Sequence, residues 1–289
     1  MEGCKYMARF TNQAQLRYGD EVTNSNIAVG EIREVLSATK TAVRETYGQR
    51  DNVTYIISIV NSGQTAFTGA TLVDDLGEYD FGERELTPLT YIPGTIKYYA
   101  DGVLQPTPAV TAGPPLTVSG LTIPAQGNAI IVYEAELNSY APLGVDATIT
   151  NTAVITANAV TPITVQETIR AEEQPLLTIT KSVSPVPVTE NGTLTYTFVI
   201  QNLGNTAATE ETGVVITDTF KPVLKNLTAT FNGTAWMEGA DYTYDEITGM
   251  FASVAGKITV PAATYTQDTT TGAWGINPGV STLVISGTV

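Results

Sequence analysis

Lysine, aspartate and asparagine recur as two sets in this sequence, each set within similar surrounding motifs. The residues are Lys40, Asp74 and Asn151 in the first set and Lys181, Asp218 and Asn12 in the second. A neutral lysine amine is a nucleophile, an asparagine carboxamide is a carbon it can attack, and a carboxylic acid beside them can move protons. Burial lowers the pKa of an amine and raises that of a carboxyl group, which favours this reaction. These residue types can therefore form an amide crosslink with release of ammonia.

Each of these residues also has an ordinary structural interpretation. A lysine near the end of a strand extends to water, an aspartate can start a turn, and an asparagine after a threonine can cap a bend. Shared ancestry of two repeats would preserve structural residues equally well, so both interpretations stay open. As a crosslink, the first set would close within one chain, whereas the second would join Lys181 and Asp218 to Asn12 of a neighbouring chain.

The elements that position these residues have the period of β-strands. Residues 53–60, 129–133, 194–200 and 282–285 are rich in β-branched and aromatic side chains, and Gly, Pro, Asn and Asp punctuate them. Helical spacing with caps appears nowhere at length. The pattern predicts an all-β chain of tandem immunoglobulin-like β-sandwiches with an N-terminal donor β-hairpin.

An internal repeat defines the domains. Four segments match in the same order: LSATKTAV with LTITKSV, VTYIISIVNSG with LTYTFVIQNLG, GATLVDDL with GVVITDTF, and IIVYEAEL with TLVISGTV. We therefore predict a hairpin at residues 1–34, a complete first repeat at 35–171 and a second repeat at 172–289 that lacks its closing strands.

The N-terminal segment FTNQAQLRYGDEVTNSNIAVGEI resembles ITNTAVITANAVTPITVQETI, which closes the first repeat, whereas the sequence reaches Val289 without such a segment after the second. An unpaired sheet edge is a template for another chain. We expect the hairpin to insert into the second repeat of another copy, because a short tether holds it at the far end of the first repeat. The expected donor residues are Phe10, Asn12, Ala14, Leu16, Ile27 and Val29, and the expected acceptor edge is Leu283, Ile285 and Val289.

Two other places for the hairpin remain. It could return to the second repeat of its own chain, or it could be an extra edge on the first repeat. Insertion into another copy is a heterologous contact, and heterologous contacts that do not close by rotation generate filaments.

Composition excludes several function classes. A net charge of -15, from 29 acidic and 14 basic residues, repels phosphate backbones and anionic lipid, which argues against nucleic acid as a partner. No apolar run has the length of a membrane span or of a signal peptide. The absence of His lowers the prior for a hydrolase, and we expect neither a metal nor a cofactor. The single Cys4 is either a free thiol or an intermolecular disulfide partner.

The matched motifs also carry a family resemblance. A lysine and threonine near the first strand, then VTYxxxVxNxG, GVxVTDxL and ITNTAxV, resemble the bacterial surface-protein repeat known as domain of unknown function eleven. That resemblance implies an immunoglobulin-like sandwich in surface, stalk or coat proteins and no enzymatic activity. The N-terminal arrangement is similar to the appendage proteins of clostridial spores, which need no export signal. The lysine, aspartate and asparagine sets resemble the self-forming isopeptide crosslinks of Gram-positive pilus sandwiches.

The sequence thus predicts a structural subunit of an extracellular or spore-surface filament, a head-to-tail homopolymer with no enzymatic activity. The alternative is a monomeric surface adhesin or ligand-binding module, in which Trp236 and the acidic loops would contact a carbohydrate or protein.

Overall fold

The computed structural model describes residues 8–32, 34–158 and 160–289. Strands make up nearly all of its regular structure, which confirms the predicted all-β class. Within these ranges the helical structure is one short 3-10 turn at Glu210–Thr212. No helix in the described part of the chain has the length and apolar character needed to cross a membrane. The prediction for Cys4 falls outside the described residues.

The N-terminal hairpin consists of four short strands. They are β1 (Ala8–Asn12), β2 (Gln15–Tyr18), β3 (Glu21–Asn24) and β4 (Ala28–Ile32). The outer strands β1 and β4 pair antiparallel, as do the inner strands β2 and β3. A two-residue turn with Gly19 at a positive φ of 57° joins the inner strands, a conformation that glycine adopts without steric cost.

The first unit contains strands β5 to β18. They are β5 (Leu36–Ala42), β6 (Thr46–Tyr47), β7 (Asn52–Asn61), β8 (Phe67–Asp74), β9 (Tyr79–Phe81), β10 (Arg84–Leu86), β11 (Leu89–Tyr91), β12 (Lys97–Ala100), β13 (Val103–Leu104), β14 (Ala109–Thr111), β15 (Leu116–Ile123), β16 (Asn128–Leu137), β17 (Thr148–Thr156) and β18 (Ile163–Ala171). One six-stranded sheet has the order β13-β12-β16-β7-β5 with β11 also on β16, and the other has the order β14-β15-β8-β17-β18-β6. Strands β9 and β10 form a small separate pair.

The second unit contains strands β19 to β28. They are β19 (Leu177–Ser184), β20 (Thr193–Asn202), β21 (Thr217–Thr219), β22 (Lys225–Phe231), β23 (Thr234–Trp236), β24 (Tyr242–Asp245), β25 (Met250–Ser253), β26 (Thr264–Gln267), β27 (Trp274–Asn277) and β28 (Gly279–Thr288). Its larger sheet has the order β19-β20-β28-β22-β23, and its smaller sheet has the order β21-β25-β24.

Alternation of side chains between the two faces of a strand explains how each sheet forms one wall of a core. In β7, the side chains of Val53, Tyr55, Ile57 and Ile59 are fully buried while the intervening ones are partly or fully exposed. The buried apolar residues form two clusters, one within residues 36–171 and one within residues 194–285. Two cores agree with two sandwiches, and the exact domain boundaries stay a prediction.

A buried asparagine organises the same turn in both units. The side chain of Asn61 accepts a hydrogen bond from Gly63 N and donates to the carbonyl oxygens of Thr65 and Pro124. Asn202 accepts from Gly204 N and likewise donates to two carbonyl oxygens. A buried amide needs such partners, so the N-x-G motif at the end of β7 and β20 is structural.

The predicted acceptor edge is wrong. Strand β28, which carries Leu283 and Ile285, pairs with β20 on one side and with β22 on the other, so it lies inside the sheet. Both side chains are fully buried, and Val289 donates its backbone N–H to Gly192 O. The prediction failed because it took the last matched segment to be the last strand in space. The edge strands are β19 and β23 in the larger sheet and β21 and β24 in the smaller one.

Strands β26 and β27 of the second unit form a hairpin that contacts the first unit. The backbone N–H of Trp274 bonds to Ser139 O at 2.8 Å, and Gln267 donates to the Tyr79 hydroxyl at 3.0 Å. These bonds join the two units by a second connection besides the chain itself.

Candidate crosslinking and docking sites

The first set of predicted residues meets in the core of the first unit, in what we call the first site: Lys40, Asp74, Tyr133 and Asn151. Lys40 Nζ lies 2.7 Å from Asp74 Oδ2, and both side chains are fully buried. Asn151 is also fully buried, and its Nδ2 donates to the Tyr133 hydroxyl at 3.0 Å. The amine, the acid and the amide that the crosslink chemistry needs are therefore collected in one buried cluster.

Four strands hold these side chains in position. Lys40 is on β5, opposite Ile57 of β7, and Asp74 ends β8, where it pairs with Ala153 of β17. Asn151 lies two residues before Ala153 on β17, so alternation places both side chains on the inner face. Asp75 fixes this register, because its carboxylate accepts a hydrogen bond from the backbone N–H of Thr152 at 2.8 Å.

The Tyr133 hydroxyl completes the first site, and sequence reasoning missed it. Tyr133 donates its hydroxyl proton to Asp74 Oδ2 at 2.7 Å, so the same phenol contacts both the acid and the amide. Its ring stacks on Tyr55 at a centroid distance of 5.5 Å. The carboxamide oxygen of Asn151 is buried without a hydrogen-bond partner. A buried carbonyl oxygen that lacks a donor is costly in a structural role.

Burial controls the protonation of the first site. It lowers the pKa of Lys40, an effect that the neighbouring Asp74 partly offsets. Burial, together with the adjacent Asp74, raises the pKa of Tyr133 well above its ordinary value. The site therefore favours a lysine that can become neutral and a tyrosine that keeps its proton.

The second site, Lys181 and Asp218, has the same ion pair in an open setting. Lys181 Nζ bonds to Asp218 Oδ2, and the two side chains are 39% and 19% exposed. The ammonium lies 4.6 Å from the ring centroid of Tyr196 and 5.2 Å from that of Phe220, within the range of cation-π attraction. The structure does not bring Asn12 of the same chain here by strand pairing, since β1 pairs with β4.

The open setting has a structural cause. In the first unit β17 pairs with β8, and β18 lies next to β5, so this hairpin closes the space between the two sheets. The strands of the second unit that correspond to β8 and β5 are β21 and β19. Both are sheet edges among the described residues. Strand β5 buries Leu36 and Lys40, whereas β19 buries none of its side chains fully.

An apolar groove follows these two edges, and we call it the open groove. Its volume is about 320 Å³. The lining residues are Leu177, Thr178, Ile179, Ile200, Val214, Val215, Ile216 and Thr217. The apolar inner face that a closing hairpin would cover is therefore accessible to solvent.

The N-terminal hairpin is exposed along its length: every residue from Arg9 to Val29 is solvent-exposed. The exposed apolar side chains include Phe10 at 53%, Leu16 at 61% and Val29 at 58%. Isolated two-stranded hairpins are marginally stable in water, and large exposed apolar side chains mark an interaction surface.

Pairing register divides the predicted donor residues between two faces. Phe10 pairs with Gly30 and Asn12 pairs with Ala28, whereas Val29 pairs with Thr11. Directly paired residues point to one face and successive residues to opposite faces. Val29 therefore lies on the face opposite Phe10 and Asn12. Ala14, Leu16 and Ile27 are also exposed, with Ala14 and Ile27 in the irregular stretches between the two strand pairs.

Trp236, which was considered for ligand binding, packs within the second unit. Trp236 stacks on Phe231 at 5.3 Å, and both belong to or pack against the second core. In the described ranges no cluster of three or more His, Cys, Asp or Glu side chains could hold a metal ion.

Comparisons with known proteins found similarity at the level of structure. No family model matches the chain, and no curated protein matches it. Solved structures that resemble it include pilus backbone and surface adhesin domains, and also a family 123 glycoside hydrolase from Clostridium perfringens. The pilus backbone RrgB from Streptococcus pneumoniae is 13% identical over 84% of this chain and 55% of its own, with a TM-score of 0.35. The chain thus spans about half the length of that pilin.

Two further solved structures have similarly low sequence identities and TM-scores. BcpA, the major pilin subunit of Bacillus cereus, is 10% identical over 94% of this chain and 73% of its own, with a TM-score of 0.35. The collagen-binding domain from a Staphylococcus aureus adhesin is 12% identical over 48% of this chain and 99% of its own, with a TM-score of 0.31. Because these sequence identities and TM-scores are low, the function of this protein must be inferred from its own residues.

Proposed function

We propose that this protein is a structural subunit of an extracellular filament on a cell or spore surface. Subunits join head to tail when the N-terminal hairpin of one copy inserts into the open groove of another. The observation that carries this proposal is the correspondence between the two units. A hairpin closes the first unit at the place where the open groove lies in the second, and a matching hairpin is exposed at the N-terminal end.

The two hairpins share a pairing pattern around their asparagines. Asn151 pairs with Glu167 within the closing hairpin of the first unit, and Asn12 pairs with Ala28 in the exposed hairpin. The closing strand places Ala153 opposite Asp74. The same register in the second unit would use the residue two positions after Asn12.

This register predicts specific contacts in the filament. Ala14 of the donor would lie opposite Asp218, and Leu16 would lie opposite Ile216, as Ile155 lies opposite Leu72 in the first unit. Asn12 would then enter the second site beside Lys181. Phe10, Asn12, Ala14 and Leu16 would form the inward series, with Val29 on the outward face.

Burial and backbone pairing both favour docking. Phe10 and Leu16 each have more than half of their surface exposed in the free subunit. Burying that portion contributes roughly 1–2 kcal/mol for each side chain. The donor strand would also pair the unsatisfied backbone groups of the β21 edge, as in other cases of strand addition.

The placement of the two ends makes the contact heterologous. The hairpin precedes β5 of the first unit directly, since β4 ends at Ile32 and β5 begins at Leu36. The open groove lies in the second unit. Two different surfaces therefore meet, and a contact of this type extends the assembly by one subunit at each step unless rotation closes a ring.

Covalent crosslinks would lock this assembly. We propose that Lys40 bonds to Asn151 within a subunit, with Asp74 as the proton-transferring acid, and that Lys181 bonds to Asn12 of the next subunit beside Asp218. Buried contacts support the first bond, and the matching ion pair on the two edge strands that line the open groove supports the second. The bond-forming chemistry acts on the protein itself, so the proposal gives it no external substrate.

Electron microscopy of purified protein in negative stain tests the assembly. The full chain should form fibres, and deletion of residues 1–33 should abolish them. Leu16→Asp should also abolish fibres, because it places a charge in the docked core, whereas Val29→Asp on the outward face should leave them intact. Single particles of the full chain under all conditions would refute assembly and favour the adhesin alternative. Equal effects of the two point variants would refute the docking register.

A further inference from the structure

The Tyr133 hydroxyl bridges two reacting groups of the first site. It lies 2.7 Å from Asp74 Oδ2 and 3.0 Å from Asn151 Nδ2, the nitrogen that leaves as ammonia when the crosslink forms. We propose that Tyr133 is a catalytic residue that relays a proton from Asp74 to this leaving nitrogen. The inference rests on the intramolecular crosslink of the proposed function and adds the route of its proton.

The reaction starts from the ion pair. Asp74 takes one proton from the Lys40 ammonium, and the neutral amine forms a bond from Nζ to Cγ of Asn151. In the amide, the Nδ2 lone pair is delocalised and cannot accept a proton. In the tetrahedral adduct this nitrogen becomes pyramidal and basic, so it can accept one.

Proton transfer then breaks the second bond. The protonated Asp74 donates to the Tyr133 oxygen while the Tyr133 hydroxyl turns its own proton to Nδ2. The bond from Cγ to Nδ2 breaks, and ammonia leaves. Asp74 regains a proton from Nζ, so Lys40 keeps one hydrogen on the new amide and Tyr133 ends as the neutral phenol. No oxidant or additional reactant is required.

The surroundings suit a relay through a neutral phenol. Lys40 is 4% exposed and Asp74 and Asn151 are fully buried, so bulk water has poor access to carry the proton. Burial raises the pKa of Tyr133, which keeps the hydroxyl protonated between transfers. The two hydrogen bonds of Tyr133 connect the acid with the leaving group without a gap.

The second unit lacks this hydroxyl. Tyr133 pairs with Tyr55 on β7, and the corresponding pair in the second unit is Ile285 with Tyr196 on β20. Ile285 therefore occupies the position of Tyr133. The relay is specific to the first unit, and the difference could be read from the aligned segments IIVYEAEL and TLVISGTV once the importance of this position was known.

The rate of ammonia loss tests the relay. Full-length chains are recovered unfolded from inclusion bodies, intact mass confirms that they have lost no ammonia, and dilution into buffer starts folding and the reaction. Intact mass then follows the loss of about 17 Da. Tyr133→Phe should slow this loss about 100-fold, the size of a general acid-base contribution, while circular dichroism shows the same folded state.

Tyr91→Phe is the matched control. Tyr91 is buried and its ring packs edge-on against Tyr133, but its hydroxyl accepts a hydrogen bond from the backbone N–H of Gly94 at 3.1 Å, outside the first site. This hydroxyl does not connect the acid to the leaving nitrogen, so the variant should lose ammonia at the wild-type rate. Lys40→Ala should lose none.

The outcomes separate the relay from the crosslink. Loss of ammonia from wild type and Tyr133→Phe at equal rates refutes the relay and leaves the crosslink standing. No loss from folded wild type refutes the crosslink and the relay together. If Tyr133→Phe does not fold, the relay is tested instead by the rate at which wild type loses ammonia in mixtures of light and heavy water. A bowed dependence on deuterium content supports transfer of more than one proton in the step, and a linear or absent dependence refutes it.

Discussion

The same substitution in the two sites should have very different effects on stability. The side chains of Lys40 and Asp74 are fully buried, whereas those of Lys181 and Asp218 are 39% and 19% exposed. Removing one partner of a buried pair leaves an uncompensated charge and costs about 3–5 kcal/mol. An exposed pair contributes about 0–1 kcal/mol. Asp74→Asn should therefore cost at least about 3 kcal/mol of unfolding free energy, and Asp218→Asn less than about 1 kcal/mol.

The crosslink must be separated from the ion pair in this measurement. A bond between Lys40 and Asn151 closes a loop of about 110 residues, and by chain entropy this adds about 5 kcal/mol to stability. Asn151→Ala removes the bond but keeps the ion pair. The difference between Asn151→Ala and the double variant Asn151→Ala/Asp74→Asn then reports the pair alone, with the bond absent from both.

Denaturant unfolding measures these differences. A Leu16→Asp background keeps all chains monomeric, and unfolding of each unit is followed by circular dichroism and tyrosine fluorescence. Intact mass confirms which chains carry the bond. Equal small losses from Asp74→Asn and Asp218→Asn would refute the claim that burial distinguishes the two sites. A stability unchanged by Asn151→Ala would refute the covalent constraint.

Three other predictions follow from the sites. Filaments boiled in detergent should give a ladder of multimers, and Lys181→Ala should reduce it to monomer; wild-type filaments that run wholly as monomer would contradict the intermolecular bond. In the unlinked Asn151→Ala chain, stability of the first unit should rise with pH from the lowered pKa of Lys40 up to about pH 9, because the unfolded state binds more protons than the folded state there. Above about pH 9 the buried Tyr55 and Tyr133, whose pKa values are raised, oppose this rise. A urea midpoint that does not rise with pH below about pH 9 would contradict the prediction. The double variant Ile285→Tyr/Phe198→Ile places the missing hydroxyl in the second unit at similar core volume, and it should increase the rate at which the intermolecular bond forms. An unchanged rate of ladder formation in the folded double variant would contradict a transferable relay.

Strand periodicity and the internal repeat were sufficient to predict the architecture. Lys40 pairs with Ile57 and Lys181 pairs with Phe198, so the aligned segments occupy the same places in the two sheets. The meeting of Lys40, Asp74 and Asn151 was also predictable, because three chemical types that recur in matched segments have matched positions. Alternation then decides which of them face inward.

Other features depend on information that local pattern does not contain. Chain order does not determine spatial order in a sheet. Ile285 was therefore wrongly expected at a sheet edge, whereas its strand lies between two others. The face of Val29 depends on the register between β1 and β4, which a shift of one residue reverses. Tyr133 has the sequence signature of a core aromatic, and only the three-dimensional contacts show its hydroxyl between Asp74 and Asn151.

The contrast between the two sites implies an order of events in assembly. The first site has its amine, acid, relay and amide in contact as soon as the first unit folds, so its bond would form in the free subunit. The second site has its amine and acid partly exposed on two edge strands, and in the proposed assembly its amide would come from another chain. In the proposed assembly, Lys181 has no amide to attack until a donor hairpin brings Asn12 beside it. An intermolecular bond would then form only at a docked joint, and the filament would lock in the direction in which it grows.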